Sequence, residues 1–403
     1  MVRDPDRWLT RRLRAPLPAP PAALRRGPLR AGAFPSALRS ERLTSQLGVA
    51  LGVAFGVCFL TGLLSHLIQH PPGWFFWPSR PVWLYRVTQG LHVATGLTCV
   101  PLLGVKLWSV YPRLFAWPPL RSIAHAAERA AVAALVAAAL FQVVSGVLNI
   151  ARWYAPMPFF FTTGHYWVAW LAIGALLVHV GVQLPVVRAA LRRRAAADRD
   201  RRAAADRRRR ALLTGVAAAA GLITLTTAGQ TVRPLAGLGL LAPRRPGTGP
   251  QGLLVNKTAA AAGVVADPGY RLVLAGPAGE TSLDLEALNA MPQHTVHLPI
   301  ACVEGWSQGA TWGGVRLRDL VTMAGGDPDR ATVLVESLER RGRYRVSTVP
   351  PEHVRDPLTL IALRLGREVL HPDHGYPARL IAPNRPGVLQ TKWIERLTVR
   401  TPR

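Results

Sequence analysis

The sequence is poor in cysteine and in lysine. Its three cysteines, Cys58, Cys99 and Cys302, are too few for a disulfide framework or for a four-cysteine zinc site. No P-loop motif is present, which excludes a nucleotide site of that type. Lysine supplies only Lys106, Lys257 and Lys392 among the 49 basic residues, so the net charge of +27 comes from arginine.

The excess of arginine is concentrated in two blocks. Residues 1–45 hold ten arginines against three acidic residues, and residues 188–210 hold eleven against three, whereas residues 243–403 hold 20 basic and 15 acidic residues. A nucleic-acid site needs its basic residues on one folded surface, so this distribution argues against nucleic acid as a partner. It is instead a membrane-topology signal, and we expect 1–45 to be a disordered cytoplasmic tail near anionic lipid.

Apolar stretches of membrane length follow the first basic block. With both arginine blocks in the cytoplasm, the chain starts on the cytoplasmic side of the cell membrane, and the residues after the fifth stretch lie on the outer side. The fifth stretch follows Arg207–Arg210 and resembles an internal twin-arginine export signal, with an ordinary helix of positive flanks as the alternative. The five stretches are 46–68, 84–110, 124–150, 163–187 and 211–231.

Four histidines in these stretches, His66, His92, His165 and His179, are candidate ligands of haem iron. His165 and His179 are fourteen residues apart, which on one helix places them about 21 Å apart on nearly the same face. That separation suits two haems stacked across a membrane. In one pairing His66 and His165 share an iron near the outer boundary, and His92 and His179 lie deeper. In the other, His92 and His165 hold a single haem, so one or two b haems are predicted.

Residues 46–187 resemble the four-helix cytochrome b subunits of membrane-bound formate dehydrogenases and hydrogenases. The matching elements are Thr61-Gly62, His92 followed by Gly96, Ser145-Gly146, and the spacing of His165 and His179. Small residues at these places would let a porphyrin lie against a helix. The resemblance implies electron exchange with a quinone or quinol pool.

The chain changes character after a linker at 232–252 that is rich in proline and glycine. Short alternating strands at 270–274, 332–336 and 394–399 are interspersed with helical stretches at 283–290 and 315–325. We therefore predict a multidomain protein, in which an all-α transmembrane bundle of five spans is followed by an α+β domain at 253–403.

Cys302 lies in a run of glycine and tryptophan that marks a candidate site. On chemistry alone, the run Ala301-Cys302-Val303-Glu304-Gly305-Trp306-Ser307, followed by Trp312-Gly313-Gly314, fits a buried thiol, a nucleophile or a metal ligand. A thiolate is a soft ligand and suits a metal that already carries sulfur ligands.

Residues 253–403 are similar to the molybdopterin-binding domain of the sulfite oxidase family, nearest to the bacterial branch that contains a periplasmic methionine-sulfoxide reductase. The resemblance implies that Cys302 ligates molybdenum beside the dithiolene sulfurs of molybdopterin. It also implies that Arg379 and Lys392 hold the cofactor phosphate, and that His374 and the Asn256-Lys257 pair bind the cofactor. Three blocks carry it: Val255-Asn256-Lys257-Thr258, the Cys302 run with Trp312-Gly313-Gly314, and Asp373-His374-Gly375-Tyr376-Pro377-Ala378-Arg379-Leu380 leading to Lys392-Trp393-Ile394.

The two halves together predict a membrane-anchored molybdenum oxidoreductase that couples the quinol pool, through b haem, to oxygen-atom chemistry outside the cell. Reduction of an S-oxide or N-oxide is preferred, because the stretch 272–315 around Cys302 contains no arginine for a sulfite oxyanion. Oxidation of a small sulfur compound such as sulfite is the alternative. The third hypothesis is a nonenzymatic membrane haem carrier or redox sensor.

Overall fold

The computed structural model describes residues 22–26, 30, 33, 35–114, 123–192, 199–265 and 267–400. Most of the predicted basic tail 1–45 therefore lies outside the described residues. The chain divides into two compact units. The first contains Met1–Phe59 and Thr95–Thr224, and the second contains Leu60–Ala94 and Leu225–Arg403.

Long apolar helices make up the N-terminal half, as predicted. Among the described residues, five helices are long and apolar enough to cross a membrane. The fifth begins earlier than its apolar stretch, because the preceding Ala and Arg residues are themselves good helix formers. The helices are α1 (Glu41–Gln69), α2 (Leu84–Leu114), α3 (Ile123–Ala151), α4 (Phe161–Arg192) and α5 (Arg199–Ala228).

In the first unit, α1, α2 and α5 pack through a cluster of apolar side chains that includes Leu43, Cys99 and Val216. The ammonium of Lys106 is held within this unit, where it donates to the carbonyl of Thr44 at 2.7 Å. Cys99 thus behaves as a small packing residue.

The C-terminal half of the chain forms two five-stranded sheets with short helices, which confirms the α+β prediction. One sheet has the order β2-β1-β10-β5-β6, with β1 and β10 parallel and the other neighbours antiparallel. The other has the order β3-β4-β7-β8, with β9 also paired to β7. The strands are β1 (Arg271–Gly276), β2 (Gly279–Asp284), β3 (His294–Ala301), β4 (Ser307–Arg316), β5 (Thr332–Ser337), β6 (Val346–Val349), β7 (Leu360–Leu365), β8 (Glu368–Val369), β9 (Arg379–Ile381) and β10 (Ile394–Arg400). The short helices are α6 (Ala259–Ala262), α7 (Leu285–Ala290), α8 (Leu317–Met323) and α9 (Pro351–Val354).

The central strand β7 is buried on both faces, as expected for a continuous apolar run. Because successive side chains of a strand alternate between faces, Ile361 joins the core between the two sheets, whereas Leu360 joins a second core. That second core contains Cys302, Trp306 and Trp312. The candidate site thus rests on the outer face of a sheet that is fixed from both sides.

A bulge between Gly313 and Gly314 shapes this sheet beside the site. A Cβ atom on Gly314 would lie 2.1 Å from the carbonyl oxygen of Ile361, so only glycine fits there. Packing thereby explains the second glycine of the Gly-Gly pair that follows Trp312.

Candidate active site around Cys302

Cys302 lies in a tight turn between β3 and β4. Its N–H donates to the carbonyl of Trp306 at 2.8 Å, and the N–H of Gly305 donates to the carbonyl of Cys302 at 3.1 Å. Gly305 adopts a φ of 88°, which glycine tolerates without strain. The turn therefore fixes the position of the sulfur through backbone hydrogen bonds.

The thiol of Cys302 is buried, and burial, with Glu304 adding to it, raises its pKa to about 12. A buried thiol of this kind stays protonated at neutral pH unless a metal ion replaces the proton. Among the residues that the structure describes, no group of three His, Cys, Asp or Glu side chains is placed to hold a metal ion. A metal at Cys302 would consequently need most of its ligands from a cofactor.

Arg379, Lys392 and His374 form a buried basic cluster within electrostatic range of one another, and the charges of Arg379 and Lys392 also reach Cys302. Arg379 opens β9, and its guanidinium lies 5.2 Å from the ring centre of Trp312 and donates to the carbonyl of His374 at 3.2 Å. The ammonium of Lys392 donates to the carbonyls of Asp373 and Lys257, both at 2.8 Å.

The chain comes unusually close to itself within the basic cluster. Gly375 has a φ of 109°, and a Cβ there would lie 3.1 Å from the Cβ atoms of both Arg379 and Lys392. Its glycine therefore permits the two cationic side chains to start from neighbouring backbone positions.

Two polar atoms of this cluster are buried without a hydrogen-bond partner, namely Arg379 Nε and His374 Nδ1. Burial lowers the pKa of Arg379 to about 9 and that of His374 to about 4, and it lowers the pKa of Lys392 well below its usual value. Buried cations lacking a carboxylate partner are costly unless an anion compensates them. The residues present thus fit a cofactor with an anionic phosphate beside a sulfur-ligated metal.

The structure brings the predicted Asn256-Lys257 pair to the edge of this cluster, through the carbonyl of Lys257 that accepts from Lys392. The ammonium of Lys257 is paired with Glu339, and the Asn256 side chain accepts from the Lys257 N–H at 2.9 Å. The backbone of this segment, more than its charge, therefore faces the predicted cofactor region.

Arg244 is a site residue that sequence reasoning missed. Its guanidinium lies 3.4 Å from the carboxylate of Glu304 in a largely buried ion pair, and its charge reaches Cys302. Glu304 also accepts from the indole of Trp306 at 3.0 Å, so this pair supports the cysteine turn from outside. In the sequence, Arg244 is marked only by forming an Arg-Arg pair with Arg245 within the linker rich in proline and glycine.

The candidate haem histidines lie on α1, α2 and α4. In the first unit, the His165 Nδ1 atom is 3.0 Å from the Ser145 hydroxyl, and an added Cβ on Gly146 would lie 3.8 Å from the His165 ring. In the second unit, an added Cβ on Gly62 would lie 2.7 Å from the His92 ring. Gly62 therefore leaves the room that the His92 ring needs, whereas a Cβ on Gly146 would make only an ordinary contact with His165. His66 stacks near His70, with ring centres 4.9 Å apart, and His179 is half-buried on α4.

Residues 261–403 match the family model described as the oxidoreductase molybdopterin binding domain. The C-terminal part of this chain is thus a molybdopterin-binding oxidoreductase domain of the sulfite oxidase family, as the sequence motifs predicted.

The proteins similar to this domain are named for different substrates. The mitochondrial sulfite oxidase of Drosophila melanogaster is 29% identical over 154 residues, covering 32% of this chain and 27% of that protein. The protein-methionine-sulfoxide reductase catalytic subunit MsrP of Gluconobacter oxydans (strain 621H) is 30% identical over 129 residues, covering 28% of this chain and 41% of that protein. The NADPH nitrate reductase of Phytophthora infestans is 37% identical over 94 residues, covering 22% of this chain and 10% of that protein. This chain therefore spans well under half the length of each of these relatives.

Proposed function

We propose that this protein is a membrane-anchored molybdenum oxidoreductase that reduces an S-oxide or N-oxide outside the cell with electrons from quinol. The observation that carries the proposal is the basic cluster around Arg379, whose Nε–H is buried without a hydrogen-bond partner, beside the buried thiol of Cys302. The match of residues 261–403 to a molybdopterin-binding domain supports the same cofactor.

In this proposal the chain's own residues hold and orient the cofactor. Cys302 supplies a thiolate ligand, and Arg379 and Lys392 bind the phosphate by charge-assisted hydrogen bonds. His374 stays neutral at pH 7 because burial lowers its pKa, so its ring pairs with a polar cofactor atom without adding charge. When bound, the molybdenum cofactor supplies two-electron oxygen-atom chemistry.

The membrane helices would carry one or two b haems on His66, His92, His165 and His179. Support comes from the Ser145 hydroxyl at His165 Nδ1, since haem-ligating and other metal-ligating imidazoles characteristically hydrogen-bond through the nitrogen that is not bound to the metal. The glycine at position 62 supports an imidazole of His92 held closely against α1.

The proposed topology has the N-terminus in the cytoplasm and the domain 253–403 outside. The asymmetry of arginine supports it, since 1–45 and 188–210 then face the cytoplasm. The proposed domain boundaries are the membrane bundle at 46–187, the fifth helix at 211–231, and the linker at 232–252. In this scheme the basic residues from Arg199 onward and the fifth apolar stretch form one helix, α5, as an export signal or an ordinary signal-anchor helix would.

Sulfite oxidation is the second candidate reaction, favoured by the likeness to mitochondrial sulfite oxidase. The likeness to MsrP and the absence of arginine from 272–315 favour S-oxide reduction. The two directions differ in which substrate changes the redox state of the purified protein.

The test uses the full chain, extracted in detergent from a host that makes molybdopterin. We expect about one molybdenum per chain, a b-type haem spectrum, and oxidation of a reduced dye on adding methionine sulfoxide or trimethylamine N-oxide. Reduction of an oxidised dye by sulfite, with no response to either oxide, would reverse the direction. Haem with substoichiometric molybdenum would favour a nonenzymatic carrier and contradict the proposal. Loss of haem on changing His165 to Ala, with His125→Ala as the control at a helix end, tests the membrane half.

A further inference from the structure

The loop between α1 and α2, residues 70–83, packs against the molybdopterin-binding domain inside the second unit. We call it the interhelical loop. At the centre of the contact is Asn384, which is 3% exposed. Its carbonyl accepts from the indole N–H of Trp77, and its side-chain NH2 donates to the carbonyl of Pro78, both at 2.7 Å. One residue of the domain therefore holds two consecutive residues of the loop.

Asn384 also caps α2. Its Oδ1 atom accepts from the N–H of Tyr85 at 2.7 Å, one of the first-turn N–H groups that have no partner within a helix. Asparagine is among the preferred capping residues, and here the cap is 299 positions away in the chain. The start of a membrane helix is thereby tied directly to the domain.

The capped end of α2 lies beside the cysteine turn. Tyr85 and Ile68 form one buried apolar cluster with Ala301, the residue that precedes Cys302. Ala301 in turn bridges to Pro386, two residues after Asn384. Tyr85 is 1% exposed, and its hydroxyl lies 3.2 Å from the hydroxyl of Ser65 on α1. A continuous packed path thus runs from α1 through Tyr85 to the backbone of Cys302.

Two outer contacts surround this centre. The guanidinium of Arg80 in the loop forms a bidentate ion pair with the carboxylate of Asp356, at 3.0 and 3.1 Å. The hydroxyl of Tyr344 donates to the side-chain oxygen of Gln69 at 3.0 Å. Exposed aromatic residues Trp74 and Phe76 lie on the same loop and have a composition typical of the membrane interface. One side of the interhelical loop therefore contacts the domain, and the other side is exposed to solvent or lipid.

We infer that Asn384 is a positioning residue, which fixes the start of α2 and Tyr85 against the Cys302 turn so that electrons pass there between the membrane helices and the molybdenum site. This inference rests on the proposed function. Each S-oxide reduction takes up two electrons and two protons and releases a sulfide and water. The two electrons come from quinol, which is oxidised to quinone, and they cross the contact one at a time.

The variant that tests it is Asn384→Gly in the full chain. Asn384 has a φ of 54°, so glycine removes both side-chain hydrogen bonds without adding backbone strain. Turnover is measured with a quinol donor and with a small soluble dye donor, which reaches the molybdenum site directly. We expect the ratio of quinol-driven to dye-driven turnover to fall about tenfold, because two buried hydrogen bonds that position α2 are lost. Molybdenum content and dye-driven turnover should stay near those of the unmodified protein.

Amide exchange gives a readout that does not depend on activity. Exchange at the Tyr85 N–H should accelerate about tenfold in Asn384→Gly, and less in Asn384→Asp, which keeps the acceptor for Tyr85 but loses the donor to Pro78. The matched control is Phe76→Ala, which changes an exposed residue of the same loop. It should leave both the ratio and the exchange rate unchanged.

An unchanged quinol-to-dye ratio in Asn384→Gly would overturn the inference. A parallel fall of both activities would also overturn it, since that is what a purely structural role predicts. If Asn384→Gly does not accumulate, Asn384→Asp decides by the same ratio. Failure of the proposed function looks different, because it shows already in the unmodified protein, which would then lack molybdenum, S-oxide or N-oxide reduction with the dye donor, or turnover with quinol.

Discussion

Replacing Arg379 by methionine should change stability in opposite directions with and without the cofactor. Arg379 is 3% exposed, its Nε has no hydrogen-bond partner, and burial lowers its pKa from the ordinary arginine value to about 9. Such a fall corresponds to about 5 kcal/mol of destabilisation of the charged form in the folded, cofactor-free domain. Methionine fills a similar space and carries no charge.

Part of this gain is offset by contacts that methionine loses. The hydrogen bond to the His374 carbonyl contributes about 1 kcal/mol, and the contact of the guanidinium with the Trp312 ring contributes about 1–2 kcal/mol. We therefore expect cofactor-free Arg379→Met to be about 2 kcal/mol more stable than the unmodified protein. For a domain of this size that raises the Tm by about 6 °C. In the cofactor-loaded protein the same change removes a phosphate contact and should lower both molybdenum content and Tm.

The assay compares thermal unfolding of full chains from hosts with and without the molybdopterin pathway, followed by metal analysis. Arg340→Met is the control, because Arg340 pairs with Glu395 on an exposed surface and should have little effect in either host. A cofactor-free Arg379→Met protein that melts below the unmodified one would refute the reasoning. The buried charge would then be compensated within the protein itself, and the basic cluster would not indicate an anionic ligand.

Three further predictions follow from the site and its surroundings. Cys302→Ala should abolish turnover yet leave the haem spectrum intact, and normal activity would reject Cys302 as the metal ligand. Lowering the pH from 6.5 to 5 should destabilise the cofactor-free domain by up to about 2 kcal/mol. In the unfolded chain His374 is protonated near the ordinary His pKa of 6.5, whereas in the folded domain burial lowers its pKa to about 4 and the ring stays neutral. Denaturant titrations at the two pH values check this, and His374→Gln should remove the corresponding part of the loss. Replacing Arg207–Arg210 by glutamine should leave the domain inside the cell if an export signal is present, and normal cleavage by external protease would count against that signal.

Periodicity and composition were sufficient to locate the helices and several strands. The stretches 332–336 and 394–399 became β5 and β10, and the apolar runs became α1 to α5, because local patterns report which side of an element is buried. Cys302 stood out through its neighbours, since the turn requires Gly305, the bulge requires Gly314, and Trp306 and Trp312 pack in the same core as the cysteine. These features depend on residues close together in the chain.

The contacts of Asn384 and Arg244 could not be predicted in this way. Asn384 accepts from the N–H of Tyr85, 299 residues earlier, and Arg244 supports Glu304 from a linker whose composition indicated flexibility. Lys257 shows the same limit in the other direction, because its motif indicated a cofactor contact while its ammonium pairs with Glu339. Partners distant in sequence leave no periodic signal, so only the folded chain reveals them.

Several departures from ordinary folding rules in the C-terminal domain lie close together in the chain. Asn384 and Trp393 have left-handed backbone angles, Gly375 brings two cationic side chains together, and Arg379 is buried without full pairing. Each feature destabilises the cofactor-free fold on its own and persists only when the surroundings determine it. Strain and unpaired charge concentrate where proteins bind ligands or perform chemistry. Because these four residues all lie between positions 375 and 393 and include the neighbours of Cys302, a scan of cofactor-free stability across this segment should find more stabilising substitutions there than in β5 or β10.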